Sequence, residues 1–289
     1  MKTLRRLTRN RFFSRARITA AIILISAAAA MLFVAASPPA SAQPTARTQP
    51  LTPKFSPAVA FDVSPAVRNL PRAARPLTFP PDTILEVRPE RGPVVQSKGY
   101  SGDAAVQALS PAVAIPSPLA NFEGLSNQDN FNIFGFRVNP PDPNGEVGPN
   151  HYVEMINLVF AVYDKNGNKL VGPVDTGSLW AGFAIPDCTD PSGDPVVLYD
   201  QLEDRWLLSQ FTTRGPIYYN CVAVSQTGDP TGAYYRYAFS TGVNFPDYPK
   251  YGLWRNSYII TTREFGPTME YGIGVYALER DKMLAGDPN

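Results

Sequence analysis

Asp194-Pro195-Val196-Val197-Leu198-Tyr199-Asp200, followed after a short polar break by Arg205-Trp206-Leu207-Leu208-Ser209-Gln210-Phe211, sets the pattern of this chain. An aspartate in a Pro/Gly-bracketed loop precedes, by about a dozen residues, an aromatic that opens an apolar run. The same arrangement links Asp142 to Tyr152 and Asp247 to Tyr258, so the aspartates stand 52 and 53 residues apart. The pieces between them are short and rich in β-branched and aromatic residues, which suit a pleated, buried surface. A period of about fifty built from such pieces marks stacked four-stranded sheets, none of which can bury its own faces, as in the blades of a β-propeller. The expected fold is all-β, of β-propeller type.

Read in parallel, the Asp142 unit offers His151 to Ile156, Val159 to Tyr163, and Lys169-Leu170-Val171, with Asn166-Gly167 between the last two. Asn-Gly in that place predicts a tight hairpin, because both central residues of a type I′ turn need positive φ. The Asp194 unit offers Val196 to Tyr199, Trp206 to Phe211, Tyr219 to Val224 and Tyr234 to Phe239. The Asp247 unit offers Tyr251 to Trp254, Tyr258 to Thr262 and Ile273 to Leu278, with a helical turn near Arg280 to Leu284. Residues 121–289 thus read as a propeller-like repeat module of about three blades. Closed propellers use roughly four to eight. The expected object is therefore incomplete or truncated, the front portion of a longer protein whose C-terminal blades are missing and whose last face is unpaired.

The beginning of the chain carries a different message. Seven Lys/Arg and no acid occupy the first seventeen positions, an almost wholly apolar run extends from Ile18 to Ala36, and Ala40-Ser41-Ala42 closes it. Residues 1–42 read as a signal peptide with Gln43 the first mature residue or, from the length of the apolar run, as an uncleaved membrane anchor. Both place the rest of the chain outside the cytoplasm. The expected location is secreted or extracytoplasmic, with no membrane insertion after signal cleavage.

Residues 43–120 follow as a Pro/Ala-rich linker or pro-region, largely irregular. Fourteen of the thirty prolines lie between Gln43 and Pro118, a density that removes backbone donors and fixes φ. Thr83-Ile84-Leu85-Glu86-Val87 is the piece apt to dock as an added strand. From Asn121 onward eleven Lys/Arg face twenty Asp/Glu. A module this acidic lacks the cations that neutralise phosphate, which argues against a nucleic-acid partner. Cys188 and Cys221 are the only cysteines. An even pair in an exported chain predicts a disulfide, and a metal centre is poorly served when His151 is the single histidine.

Asp194 to Asp200 with Arg205-Trp206, Cys221-Val222-Ala223-Val224-Ser225 with Gly228-Asp229-Pro230-Thr231-Gly232, and Phe245-Pro246-Asp247-Tyr248-Pro249-Lys250-Tyr251-Gly252 together resemble a group of secreted bacterial β-propeller-like proteins of unassigned function. The resemblance covers Pro140 to Gly286. It implies a longer parent with further blades, and it carries over no catalytic residues because the group offers none.

Equivalent positions in successive blades fall on one ring around a central channel. Asp142, Asp194 and Asp247 are therefore candidate channel carboxylates, able to converge on a cation or a sugar. The alternative is that each caps its own turn. In Asp142-Pro143-Asn144-Gly145-Glu146, the oxygens of Asp142, Asn144 and Glu146 form a candidate Ca²⁺ set, although the loop falls short of an EF-hand. Asp164-Lys165-Asn166-Gly167-Asn168 offers a second such loop, which doubles as the hairpin turn. No nucleophile elbow, Walker loop or dinucleotide glycine pattern is present. Tyr248, Tyr251 and Trp254 would stack on pyranose faces if exposed and fill space between blades if buried. The expected function is a non-enzymatic binding or scaffold module for an extracellular glycan or protein, with Ca²⁺ the one cofactor in view. The alternative is a carboxylate-dependent, glycoside-hydrolase-like enzyme, which needs two carboxyl groups about 5–9 Å apart.

Overall fold

A computed structural model describes residues 52–70, 84–86, 116–267 and 269–289. The expected signal and most of the Pro-rich segment lie outside these residues. Ser56–Asn289 clusters as one unit, which holds three antiparallel sheets in succession along the chain.

Sheet one is a meander of β4 (Asn144–Val147), β5 (His151–Ile156), β6 (Val159–Asp164) and β7 (Lys169–Asp175). Sheet two repeats it with β8 (Val196–Asp200), β9 (Arg205–Phe211), β10 (Tyr218–Ser225) and β11 (Tyr234–Gly242). Sheet three holds β12 (Phe245–Leu253), β13 (Ser257–Gly266) and β14 (Met269–Glu279), after which the chain turns into α2 (Arg280–Ala285). Connections of a few residues oblige sequential strands to pair antiparallel. The aromatics of the sequence pattern recur in register: Tyr152, Trp206 and Tyr258 each stand second in the second strand of their sheet.

The hairpin between β6 and β7 departs from the expected type I′ turn. Gly167 has φ 85°, but Asn166 is not among the positive-φ residues. The Asp164 carboxylate instead gathers the turn, accepting from the N–H groups of Asn166 at 2.8 Å and Asn168 at 2.9 Å. An aspartate that accepts from its own backbone two residues on removes the need for a second left-handed residue.

Two parts of the expected irregular segment enter the sheets. β1 (Ala60–Val63) adds a fifth strand to sheet two, antiparallel to β11, and β2 (Ile84–Glu86) pairs parallel with β3 (Arg137–Asn139). The strap around β1 is tied by more than its ladder. Arg236, nearly buried, donates twice to the Asp62 carboxylate at 2.7 Å, and Ser64 Oγ accepts from the Tyr234 N–H at 2.9 Å. Val67, 2% exposed, ends the strap inside the core between sheets one and two. Helix α1 (Asn127–Phe134) was also not expected, although its signals are in the sequence: Ser126 and Asp129 form a capping box and Gly135, at φ 81°, ends it.

Burial explains why the central strands read as unbroken apolar runs. Trp206, Leu208, Cys221 and Ala223 face sheet one, whereas Leu207, Val222 and Val224 face sheet three. Both faces of sheet two are core. Sheet one has its second face covered by Phe134 of α1, Val138 of β3 and Phe136 between them. The disulfide joins Cys188, in a short 3-10 turn, to Cys221 on β10, across a Cα–Cα distance of 5.9 Å.

Candidate functional site

The starts of the three sheets meet at a cleft of about 350 Å³, lined by Asp142, Asn144, Glu146, Asp194, Tyr248, Lys250 and Tyr251 among others. Asp142 and Asp194 each precede a proline and have φ of 41° and 46°. Among the described residues, the third non-glycine residue with positive φ before a proline is Tyr248, φ 52°, which precedes Pro249. Tyr248, rather than Asp247, thus takes the corresponding position at the cleft, and Asp247 is not among the residues lining it. The signal lay in the proline. Pro143, Pro195 and Pro249 directly follow Asp142, Asp194 and Tyr248, so the proline rather than the acid marks the third position.

Asn157 and Asp194 join sheet to sheet, with Asp142 holding Asn157 in place. Asp142 Oδ2 accepts from Asn157 Nδ2 at 2.9 Å, and Asn157 Oδ1 accepts from the Asp194 N–H at 2.7 Å. Asp194 Oδ2 then accepts from the Tyr248 N–H at 3.1 Å. A parallel link runs from the Val197 N–H to Asn144 Oδ1 at 2.6 Å. Side-chain oxygens of one sheet therefore satisfy backbone donors of the next, at sites where irregular backbone would otherwise bury unpaired N–H groups. Asn157, fully buried in the turn between β5 and β6, was not singled out from the sequence. A polar residue interrupting Ile156-Leu158-Val159 was the clue.

For the candidate Ca²⁺ set, this geometry means that Asp142 Oδ2 and Asn144 Oδ1 already serve protein donors. Among the described residues, no group of three or more His, Cys, Asp or Glu side chains converges to hold a metal ion. Burial raises the Glu146 carboxyl above the usual range. On the opposite wall Lys250 places Nζ 3.2 Å from the centre of the Tyr248 ring, a cation–π contact at the mouth of the cleft. Trp254, 65% exposed, does not line it. Trp180, Phe183, Tyr234 and Tyr237 are buried packing residues.

A second set of contacts repeats at the first hairpin of each sheet. Trp206 packs on Gly148 of sheet one, so closely that a Cβ on Gly148 would lie 2.6 Å from Trp206 Cζ2. The Tyr258 hydroxyl donates to Asp200 of sheet two at 2.7 Å. Asp200 is fully buried and also accepts from Arg280 Nε at 2.6 Å, Arg280 Nη2 at 3.0 Å and the Leu202 N–H at 3.1 Å. Burial alone would raise this carboxyl, but the bonds from Arg280 and Tyr258 overcome it and hold the group below the ordinary aspartate range.

Neither a family model nor a curated protein matches this sequence. Among solved structures, the chain is similar to the Bombyx mori GH32 beta-fructofuranosidase, solved as a mutant in complex with sucrose. That likeness has a TM-score of 0.28 at 16% identity, covering 51% of this chain and 34% of the other. So slight a likeness carries no argument about activity. Among the described residues no helix is long and apolar enough to cross a membrane, and the Cys188–Cys221 bond is of the kind that persists in an oxidising compartment.

Proposed function

We propose that the chain is an exported β-propeller-type module that recognises an extracellular glycan or protein at the cleft where its sheets begin, without turning it over. Three consecutive four- or three-stranded meanders that mate through equivalent residues support the propeller reading. The observation that carries the binding reading is the use made of Asp142 and Asp194. Asp194 accepts from the Tyr248 N–H of the next sheet, and Asp142 holds Asn157, whose Oδ1 accepts from the Asp194 N–H, so these positions serve architecture. The cleft is also lined by Glu146, Tyr248, Lys250 and Tyr251, a mix of ring faces and polar tips suited to recognition.

The rival reading, a glycan-active enzyme, has one observation in its favour. Glu146 has a raised pKa and shares the cleft with Asp142 and Asp194, and a proton-holding acid beside a second carboxyl is what glycoside hydrolysis requires. One experiment separates the two. The purified chain is screened on immobilised extracellular polysaccharides, and each binder is then incubated with it and assayed for new reducing ends. Retention that Tyr248→Ala weakens, with no reducing ends formed, supports recognition. Release of reducing ends that Glu146→Gln abolishes would replace the binding module with the enzyme.

A further inference from the structure

The second face of sheet one buries a carboxyl group among its apolar side chains. Glu154 lies on the same side of β5 as Tyr152 and Ile156, since alternate residues of a strand share a face, and it is 7% exposed. Directly over it runs the stretch that leads into α1, residues 121–126. The Leu125 N–H donates to Glu154 Oε2 at 2.8 Å, and Gly124 passes so close that a Cβ there would run into the same oxygen. Phe122 docks the start of this stretch, its ring 5.9 Å from that of Tyr152 and 5.6 Å from that of Tyr163. Ser126 secures the end through the helix cap. Between these anchors Glu123 and Gly124 are exposed, so the cover over the carboxyl is a single pass of backbone.

The bond from Leu125 is the only hydrogen bond or ion pair that Glu154 makes among the described residues. A carboxylate taken out of water needs several donors or a close cation to stay charged. The groups that face it are Asp129 from α1, Tyr152 on its own strand, Tyr163 from β6 and Lys169 from β7. Loss of water is the largest influence and raises the carboxyl, the Leu125 bond and Lys169 oppose it, Asp129 reinforces it, and the balance lies above the ordinary range. Both phenols are themselves pushed up by burial, and His151 falls on the opposite face of β5. We infer that residues 121–126 form a pH-sensitive clasp, which closes over Glu154 with uptake of a proton and loosens as the pH rises. Opening the clasp returns the carboxyl to water and to an ordinary value of about 4.3. Between that value and the higher one of the closed form, the closed form holds more protons than the open one, so a rise in pH favours opening. The direction is opposite to that of Asp200, whose value is lowered.

Hydrogen exchange of the amides of residues 122–126 in the full chain tests this, from about pH 4 to about pH 8, each rate being compared with that of unstructured peptide at the same pH. Opening is expected to rise by up to about tenfold per pH unit above the ordinary glutamate value, then to level once the closed value is passed. Glu154→Gln keeps an acceptor for the Leu125 N–H and removes the titrating group, so its clasp should be equally closed at every pH. A carbon-13 titration of the Glu154 carboxyl in the unaltered chain should have its midpoint above about 4.3, and it decides alone if the variant does not fold. Exchange indifferent to pH in the unaltered chain, or slowed as the pH rises, would overturn the inference. So would the same pH dependence in Glu154→Gln, which would assign it to His151 or Asp129, or a carboxyl midpoint at or below the ordinary value.

Discussion

Asp200→Ala should be among the most damaging single changes outside the apolar core. The carboxylate is fully buried and receives four hydrogen bonds, two of them from Arg280, whose own side chain is 4% exposed. Deleting it leaves a buried guanidinium with only the Arg255 carbonyl at 3.1 Å and distant surface acids, and orphans the Tyr258 hydroxyl. Breaking a buried pair from one side costs about 3–5 kcal/mol, a large share of a total stability of about 5–15 kcal/mol. Urea unfolding followed by fluorescence would measure it, with Arg280→Met and the double variant completing a cycle. The double variant should lose less than Asp200→Ala, because no charge is left stranded. The pH dependence follows from the sign of the shift. Asp200 has a lowered pKa in the folded chain, so its contribution is complete above the unfolded aspartate value of about 3.9 and fades as pH falls below it toward the folded value. Asp200→Ala should lack that part of the acid limb. A cost below about 1 kcal/mol, in the range of exposed pairs, would refute the reasoning.

Three further outcomes are expected. Reduction of the Cys188–Cys221 bond, which spans 33 residues, should lower stability by about 3–4 kcal/mol on the chain-entropy model, and thiol titration of unreduced material should find no free thiol. Asp62→Ala should cost about 1–2 kcal/mol, the worth of charged hydrogen bonds reduced by partial exposure, and limited proteolysis should then cut between residues 56 and 70, where the intact strap resists. Gly148→Ala should push Trp206 off its seat, at a cost of about 1–3 kcal/mol for overpacking and a shift in tryptophan emission.

Much of the fold was legible because the strand pattern is local chemistry. Apolar runs of strand length, turns rich in Pro, Gly, Asn and Asp, and an aromatic second in each second strand come from neighbours in sequence, so Tyr152, Trp206 and Tyr258 mark their strands without knowledge of the fold. The cysteine pair was legible for a similar reason, since two cysteines allow a single intramolecular bond. The cleft was only half legible. Asp142 and Asp194 were found by type and spacing, but their roles depend on which backbone N–H groups the next sheet leaves bare, and that is decided only when the sheets pack. Hence the roles of Asn157, 15 residues from Asp142 and 37 from Asp194, and of Tyr248, chosen by the conformation before a proline rather than by charge, were decided only in three dimensions, although the sequence marked both positions. The strap is the extreme case. Ala60–Val63 is too short and too proline-flanked to declare itself a strand, and what makes it one is the open edge of β11, with Arg236 and the Tyr234 N–H waiting some 170 residues away.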